Sequence, residues 1–205
     1  MPSDAYDRIL NAAEERLLSD GPSGLVLDAI ATDAGVSKGG LLYHFANKEA
    51  LVAAICARML DGFDESLAGQ RQANVAESSE AVEEPRHIQR PGLFARAYLA
   101  STVTEDGKPA DNSAQLMAGL LATLGHDSAH LETIRARFSE WHEAFAADGL
   151  DDTTATIVRL AADGLWLSAL LGLPQLDPKL GRRTLEALRK MTQDKHFMTE
   201  NEGGA

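Results

Sequence analysis

Residues 31–51 read A-T-D-A-G-V-S-K-G-G-L-L-Y-H-F-A-N-K-E-A-L, and this stretch decides the fold. It spells the end of one short helix, a tight turn, a second short helix and the start of a third. Gly35 tolerates positive φ and so can close the helix that holds Ile30, Ala31 and Ala34. Val36 is placed to plug the crook of the turn. Ser37 is a good N-cap for a helix over residues 38–45. That helix carries Gly39 and Gly40 in its first turn, at a cost of roughly 1 kcal/mol each against alanine. Close approach of the backbone to another molecule is a physical reason to keep glycine there. Leu41, Leu42 and Phe45 are expected to face inward. Lys38, Tyr43 and His44 are left as polar tips on the outer side, and Asn47 caps a further helix with Lys48 in its first turn.

The pattern is a helix-turn-helix with a second helix sized for the DNA major groove. From Val36 to Leu51 it closely resembles the DNA-binding signature of TetR-type (TetR/AcrR) bacterial transcriptional regulators. The resemblance covers about the first 55 residues. It implies that Ser37, Lys38, Gly39, Gly40, Tyr43, His44 and Lys48 lie at double-stranded operator DNA. Lysines and the N–H groups at a helix start suit phosphates. The Tyr43 hydroxyl and the His44 ring can bond phosphates, and His44 can reach a base edge. One position departs from the family pattern. Val26 stands where a threonine or serine usually caps the preceding helix and touches a phosphate, and valine can do neither. Asp28 offers partial compensation through the helix dipole.

Composition agrees with an all-α fold. The 205 residues are 44% hydrophobic with 5% aromatics, and alanine and leucine dominate over β-branched residues. The net charge of −12 excludes broad coating of nucleic acid. Even residues 1–50 are acidic: Arg8, Arg16, Lys38 and Lys48 face Asp4, Asp7, Glu14, Glu15, Asp20, Asp28, Asp33 and Glu49. A dimer is expected to neutralise only ~4–8 phosphates. The single cysteine, Cys56, reads as a small buried hydrophobe. No signal peptide or membrane span is evident, so a cytoplasmic location is expected. His126 and His130 are four apart but lack a third ligand, so no metal site is expected. Nothing points to a cofactor. Phosphate loops, nucleophile elbows and Cys–His pairs are absent, so no enzyme is expected.

Along the chain, helices are expected over 4–20 (Ser3 as cap; Tyr6, Ile9, Leu10, Ala13, Leu17 and Leu18 inward), 27–34, and 47 to about 67 with Leu51, Ile55, Met59 and Phe63 inward. Residues 69–92, with Glu77, Glu80, Glu83, Glu84, Pro85 and Pro91, read as a solvated connection. Further helices are expected over 93–103, 112–124 (buried, stopped by Gly125), 128–147, 151–172 and 179–193, with a frayed tail from Asp194. The second half of the helix over 151–172 is apolar nearly all round and needs more than one neighbour. Two domains result: a helix-turn-helix head over 1–46, and an effector-binding and dimerisation body over 47–205.

In the body, Phe63, Phe94, Tyr98, Met117, Phe138, Trp141 and Trp166 lie on helices expected to converge. Asp163 is the polar exception on an apolar stretch, and His142 beside Trp141 reads as a surface histidine. The resemblance implies an inducer pocket there. It also implies a homodimer in which Leu167, Leu170, Leu171, Leu185 and Leu188 of the last two helices pair into a four-helix bundle. Two heads on half-sites ~34–36 Å apart would reinforce each other. The function expected is a homodimeric repressor released from its operator by an apolar or amphipathic small molecule. The alternatives are a DNA-binding dimer that acts through a protein partner without an inducer, and a body that chiefly sequesters a ligand.

Overall fold

A computed structural model describes residues 4–79, 91–124 and 129–193. The expected cap Ser3, Glu80, Glu83, Glu84 and Pro85 of the acidic run, the stop at Gly125, His126, the helix start at Ser128 and the tail from Asp194 lie outside the described residues, as do the side chains of Glu77 and His130. Among the described residues the regular elements are all helices, joined by turns and loops, with one isolated antiparallel bridge between Val103 and Pro109. The helices are α1 (Asp4–Asp20), α2 (Leu27–Asp33), α3 (Lys38–His44), α4 (Lys48–Ser79), α5 (Leu93–Thr102), α6 (Ser113–Thr123), α7 (Ala129–Ala146), α8 (Asp152–Leu170) and α9 (Pro178–Met191), with a 3-10 turn over Gly21–Gly24. They fall into two compact units. The first is residues 1–62 with 112–135, and the second is 63–111 with 136–205.

In the first unit α1, α2 and α3 pack on one another and α1 also packs on α6. Ile9, Leu10, Leu17, Ile30, Leu41, Phe45, Leu51 and Ile55 are buried and form its core. Gly35 has φ +65°, and the Val36 N–H donates back to the Ala31 carbonyl at 2.9 Å. This closes α2 as glycine permits. Asn47 Oδ1 accepts from the Ala50 N–H at 2.8 Å and caps α4. Gly119 of α6 lies against α1 so closely that an added Cβ would stand 2.7 Å from Leu17 Cδ1. Three leucines expected inside are exposed instead: Leu18, Leu42 and Leu121. In α3 the buried pair is Leu41 and Phe45, four residues apart. Leu42 sits about 100° further round and leaves that face. Leu27 is only half-buried.

In the second unit α5 packs on α8, and α8 on α9. α5 has no side-chain cap of its own, because Gly92 occupies the N-cap with φ +79°. The Asp148 carboxylate serves instead, accepting the Phe94 N–H at 2.8 Å and the Ala95 N–H at 2.9 Å. Gly181 of α9 abuts the turn after α5, with its missing Cβ pointed at the Asp106 carbonyl. Arg189 of α9 holds Glu105 of that turn with two hydrogen bonds of 2.7 and 2.6 Å.

One expectation is overturned. α4 does not stop near Leu67 but runs on to Ser79. Gln70, Arg71, Gln72, Ala73 and Ala76 are ordinary helix formers, so the polarity of this stretch marks a solvated helix rather than a connection. The helix over 151–172 does have more than one neighbour, since α8 packs on both α5 and α9, yet Leu167 stays 49% exposed and Leu171, just past its end, 59%.

Candidate nucleic-acid interface and effector site

The Ser37 Oγ accepts the Gly40 N–H at 3.0 Å and is the side-chain cap of α3. Leu41 and Phe45 anchor the helix, and the Phe45 ring lies 4.9 Å from that of Tyr6 on α1. The opposite face is open. Lys38, Gly39 and Tyr43 are exposed and Gly40 half-buried. Tyr43 is 85% exposed, the extreme among the exposed large hydrophobic and aromatic side chains described. The half-buried His44 ring stacks edge-on against Tyr43 at 5.3 Å and Tyr6 at 6.2 Å. Ser37, Lys38, Gly39, Gly40, Tyr43 and His44 therefore share one short, anchored helix or its cap, with Lys48 in the first turn of the next.

The cations are disposed unexpectedly. Lys38 Nζ donates to Asp28 Oδ2 at 3.0 Å, so Asp28 engages the lysine as well as sitting in the first turn of α2. Val26 is the N-cap of α2, extended in backbone, with no side-chain cap bond, as its side chain dictates.

The aromatic residues Phe63, Phe94, Tyr98, Phe138, Trp141 and Trp166 come together in the second unit. Trp141 has ring centroids 4.6 Å from Phe63, 4.9 Å from Phe138 and 6.3 Å from Tyr98, and Tyr98 also meets Phe63 at 5.4 Å and Phe145 at 5.0 Å. Phe138 in turn lies 6.2 Å from Trp166, and Phe94 6.1 Å from Tyr98. Trp141, Phe94 and Tyr98 are buried, whereas Phe63, Phe138 and Trp166 are half-buried. Met117 is buried on α6, which belongs to the first unit.

Polar groups are threaded through this cluster. The buried Tyr98 hydroxyl donates to Asp163 Oδ1 at 2.8 Å, and Arg159 donates to Asp163 Oδ2 at 3.3 Å. Burial and then the Asp163 charge drive the Tyr98 ionisation far above the usual phenol range, so Tyr98 is a permanent donor. His142 lies 3.3 Å from Arg159. Burial, then the Arg159 charge, hold its pKa below the ordinary histidine value. The Trp141 indole N–H donates to Asp64 Oδ1 at 2.8 Å, and Arg137 pairs with the same carboxylate. The cluster thus combines aromatic walls with two carboxylates, each balanced by an arginine. Asp64, Arg137 and Arg159 carry no local signal that marks them, whereas Phe145 follows the apolar spacing of its helix and joins the cluster 5.2 Å from Phe94.

Among the leucines expected at a subunit interface, Leu167 and Leu171 are exposed and Leu170 half-buried, while Leu185 and Leu188 are buried within their own chain. Cys56 is buried, and burial raises its thiol pKa, which keeps it unreactive. Among the described residues, no group of three or more His, Cys, Asp or Glu is placed to hold a metal ion, and no helix is long and apolar enough to cross a membrane.

A family model described as bacterial regulatory proteins, tetR family, matches residues 9–55, and one for the tetracyclin repressor-like C-terminal domain matches residues 92–193. The chain belongs to the TetR family. Its head is therefore that of a DNA-binding transcriptional regulator. Solved structures agree with this fold. A TetR-family member from Streptomyces coelicolor is 26% identical with a TM-score of 0.58, covering 91% of this chain and 98% of its own. A transcriptional regulator from Rhodococcus is 20% identical with a TM-score of 0.62, covering 91% and 94%. The multidrug-binding protein EbrR complexed with malachite green is 22% identical with a TM-score of 0.54, covering 91% and 96%. No curated protein matches this TetR-family chain.

Proposed function

We propose that this TetR-family regulator is a homodimeric repressor whose residues 1–46, together with Lys48 at the start of α4, contact operator DNA and whose remaining helices bind an effector and pair the subunits. The observation that carries the DNA contact is Tyr43, 85% exposed on a helix whose other face is fully anchored. Ser37, Lys38, Gly39, Gly40, Tyr43, His44 and Lys48 form the contact surface. Lys48 and the N–H groups of α3 hold phosphates, and Tyr43 and His44 reach phosphate or base edges. The exposed Leu167 and Leu171, with half-buried Leu170, support pairing of two chains, and Leu185 and Leu188 support that face from within. Such a dimer works on DNA in the cytoplasm.

Phe63, Phe138 and Trp166 present half-buried rings around buried Trp141, with Phe94, Tyr98 and Asp163 beside them. That chemistry favours an apolar or amphipathic ligand with a hydrogen-bonding group, and it makes malachite green, the ligand of EbrR, a reasonable first probe. The ligand releases DNA if it prefers the released state by a few kcal/mol. The test is binding to the promoter region preceding the chain's own coding sequence, with and without probe. Specific binding lost on Tyr43→Ala supports the DNA surface. A probe that saturates the body yet leaves operator affinity unchanged removes that probe as an effector. Failure to bind any site, even at low salt, overturns the repressor reading.

A further inference from the structure

The basic side chains of the first unit are almost all spoken for. Arg8 pairs with Asp4, Arg16 with Asp20 and Asp33, Lys38 with Asp28, Arg58 with Glu14 and Arg135 with Glu132. Lys48 is the basic residue of that unit with no carboxylate partner among the described residues. Of the pairs, Lys38–Asp28 alone includes a residue of α3. Its two side chains are 57% and 66% exposed, so it stands in solvent where an ion pair contributes little to stability. It also joins the first turns of α2 and α3, the two helix starts of the helix-turn-helix.

We propose that Asp28 is an electrostatic latch on Lys38: it cancels the lysine's charge at the DNA-facing end of the head and so suppresses binding to DNA of the wrong sequence. The inference rests on the reading of α3 as the DNA contact. Salt dependence of binding follows the net charge brought to the phosphates. Whether Lys38 stays on Asp28 or swings to a phosphate, the pair brings zero. Each subunit then presents Lys48, at the start of α4, as the uncancelled cation among the described residues of this face, and the electrostatic attraction common to every DNA sequence is small. Discrimination is left to groups that need the right geometry, namely Tyr43, His44 and the glycine backbone. Asp28 is thus a specificity-determining residue, which acts by weakening the wrong complexes more than the right one.

The experiment uses the full chain with two duplexes, a random 30-bp sequence and a promoter fragment, followed by fluorescence anisotropy from 50 to 200 mM salt. Asp28→Asn keeps the shape and removes the charge. It is expected to bind the random duplex more tightly at low salt, with a log–log salt slope steeper by roughly 0.9 per head, about 1.8 for a dimer. Over that salt range the added slope is worth about a further tenfold loss of affinity. Its ratio of promoter to random binding falls. Adding Lys38→Met to Asp28→Asn returns the slope to the wild-type value. Asp28→Ser gives the same outcome as Asp28→Asn and supplies the reading if the asparagine variant melts early. An unchanged slope and unchanged promoter preference in both Asp28 variants overturn the latch. Lys48→Ala separates the two levels of reading. If it weakens binding while the Asp28 variants do nothing, only the latch fails. If neither duplex binds any variant at 50 mM salt, the DNA contact fails and takes the latch with it.

Discussion

Gly39→Ala separates what the head needs to fold from what it needs to bind. A Cβ built at Gly39 meets nothing nearer than Ser37 Oγ at 3.9 Å, so the free protein has room for the methyl. The residue is the second of a seven-residue helix and its backbone is helical. Alanine there lowers the entropy of the unfolded chain, a gain of up to ~1 kcal/mol. For a chain of this size that raises the melting temperature by ~2–4 °C. If glycine is kept so that the backbone approaches DNA, the same methyl is driven into a base or phosphate. An overpacked contact costs ~1–3 kcal/mol, roughly 5- to 150-fold in affinity per head. The expected result is a protein that melts higher and binds its operator at least fivefold more weakly. Melting is followed by circular dichroism at fixed protein concentration, since pairing of chains shifts the midpoint. Operator binding by Gly39→Ala equal to wild type would refute the close approach. A lower melting temperature would refute the claim that the site is open. Gly40→Ala is the contrasting control, because its Cβ meets Ser37 Oγ at 3.3 Å and strains the cap itself.

Other predictions follow from the same geometry. Asp148→Ala strips the N–H groups of Phe94 and Ala95 of their acceptor, while relieving a carboxylate whose pKa burial has raised. The net loss is expected to be ~1–3 kcal/mol in urea denaturation, and a change below ~0.5 kcal/mol would show that the cap is dispensable. His142 has a folded pKa below its unfolded value, so the unfolded chain takes up the proton first. Stability is therefore lost as pH falls through about 6.5, and that share of the loss is complete below the folded value. His142→Gln should flatten the urea midpoint between pH 8 and 5.5, and an unaltered profile counts against His142 as the source. Leu167→Glu with Leu171→Glu should yield monomers in sedimentation with little change in helix content, because both side chains are exposed in the single chain. A dimer that persists places the subunit contact elsewhere.

The sequence by itself determined the head. The Ser37 cap, the turn at Gly35 and the Asn47 cap are local chemistry, in which a side chain bonds a backbone group three residues on or a glycine adopts a conformation others avoid. The aromatic residues of the second unit were legible as a group, since long apolar side chains at helical spacing must meet something. Tertiary structure decided the rest. α4 runs on to Ser79 although its last turns carry little apolar pattern to read. Leu42 and Leu18 point outward because helix phase, not hydrophobicity, sets direction. The cap of α5 comes from Asp148, some fifty residues downstream, and no local signal can announce such a partner. The charge of Lys38 reads as +1 in the sequence and is cancelled by Asp28 ten residues away, across the turn between α2 and α3. The field of a charge is weakened most by the opposite charge closest to it, and which one is closest is fixed only when the helices have packed.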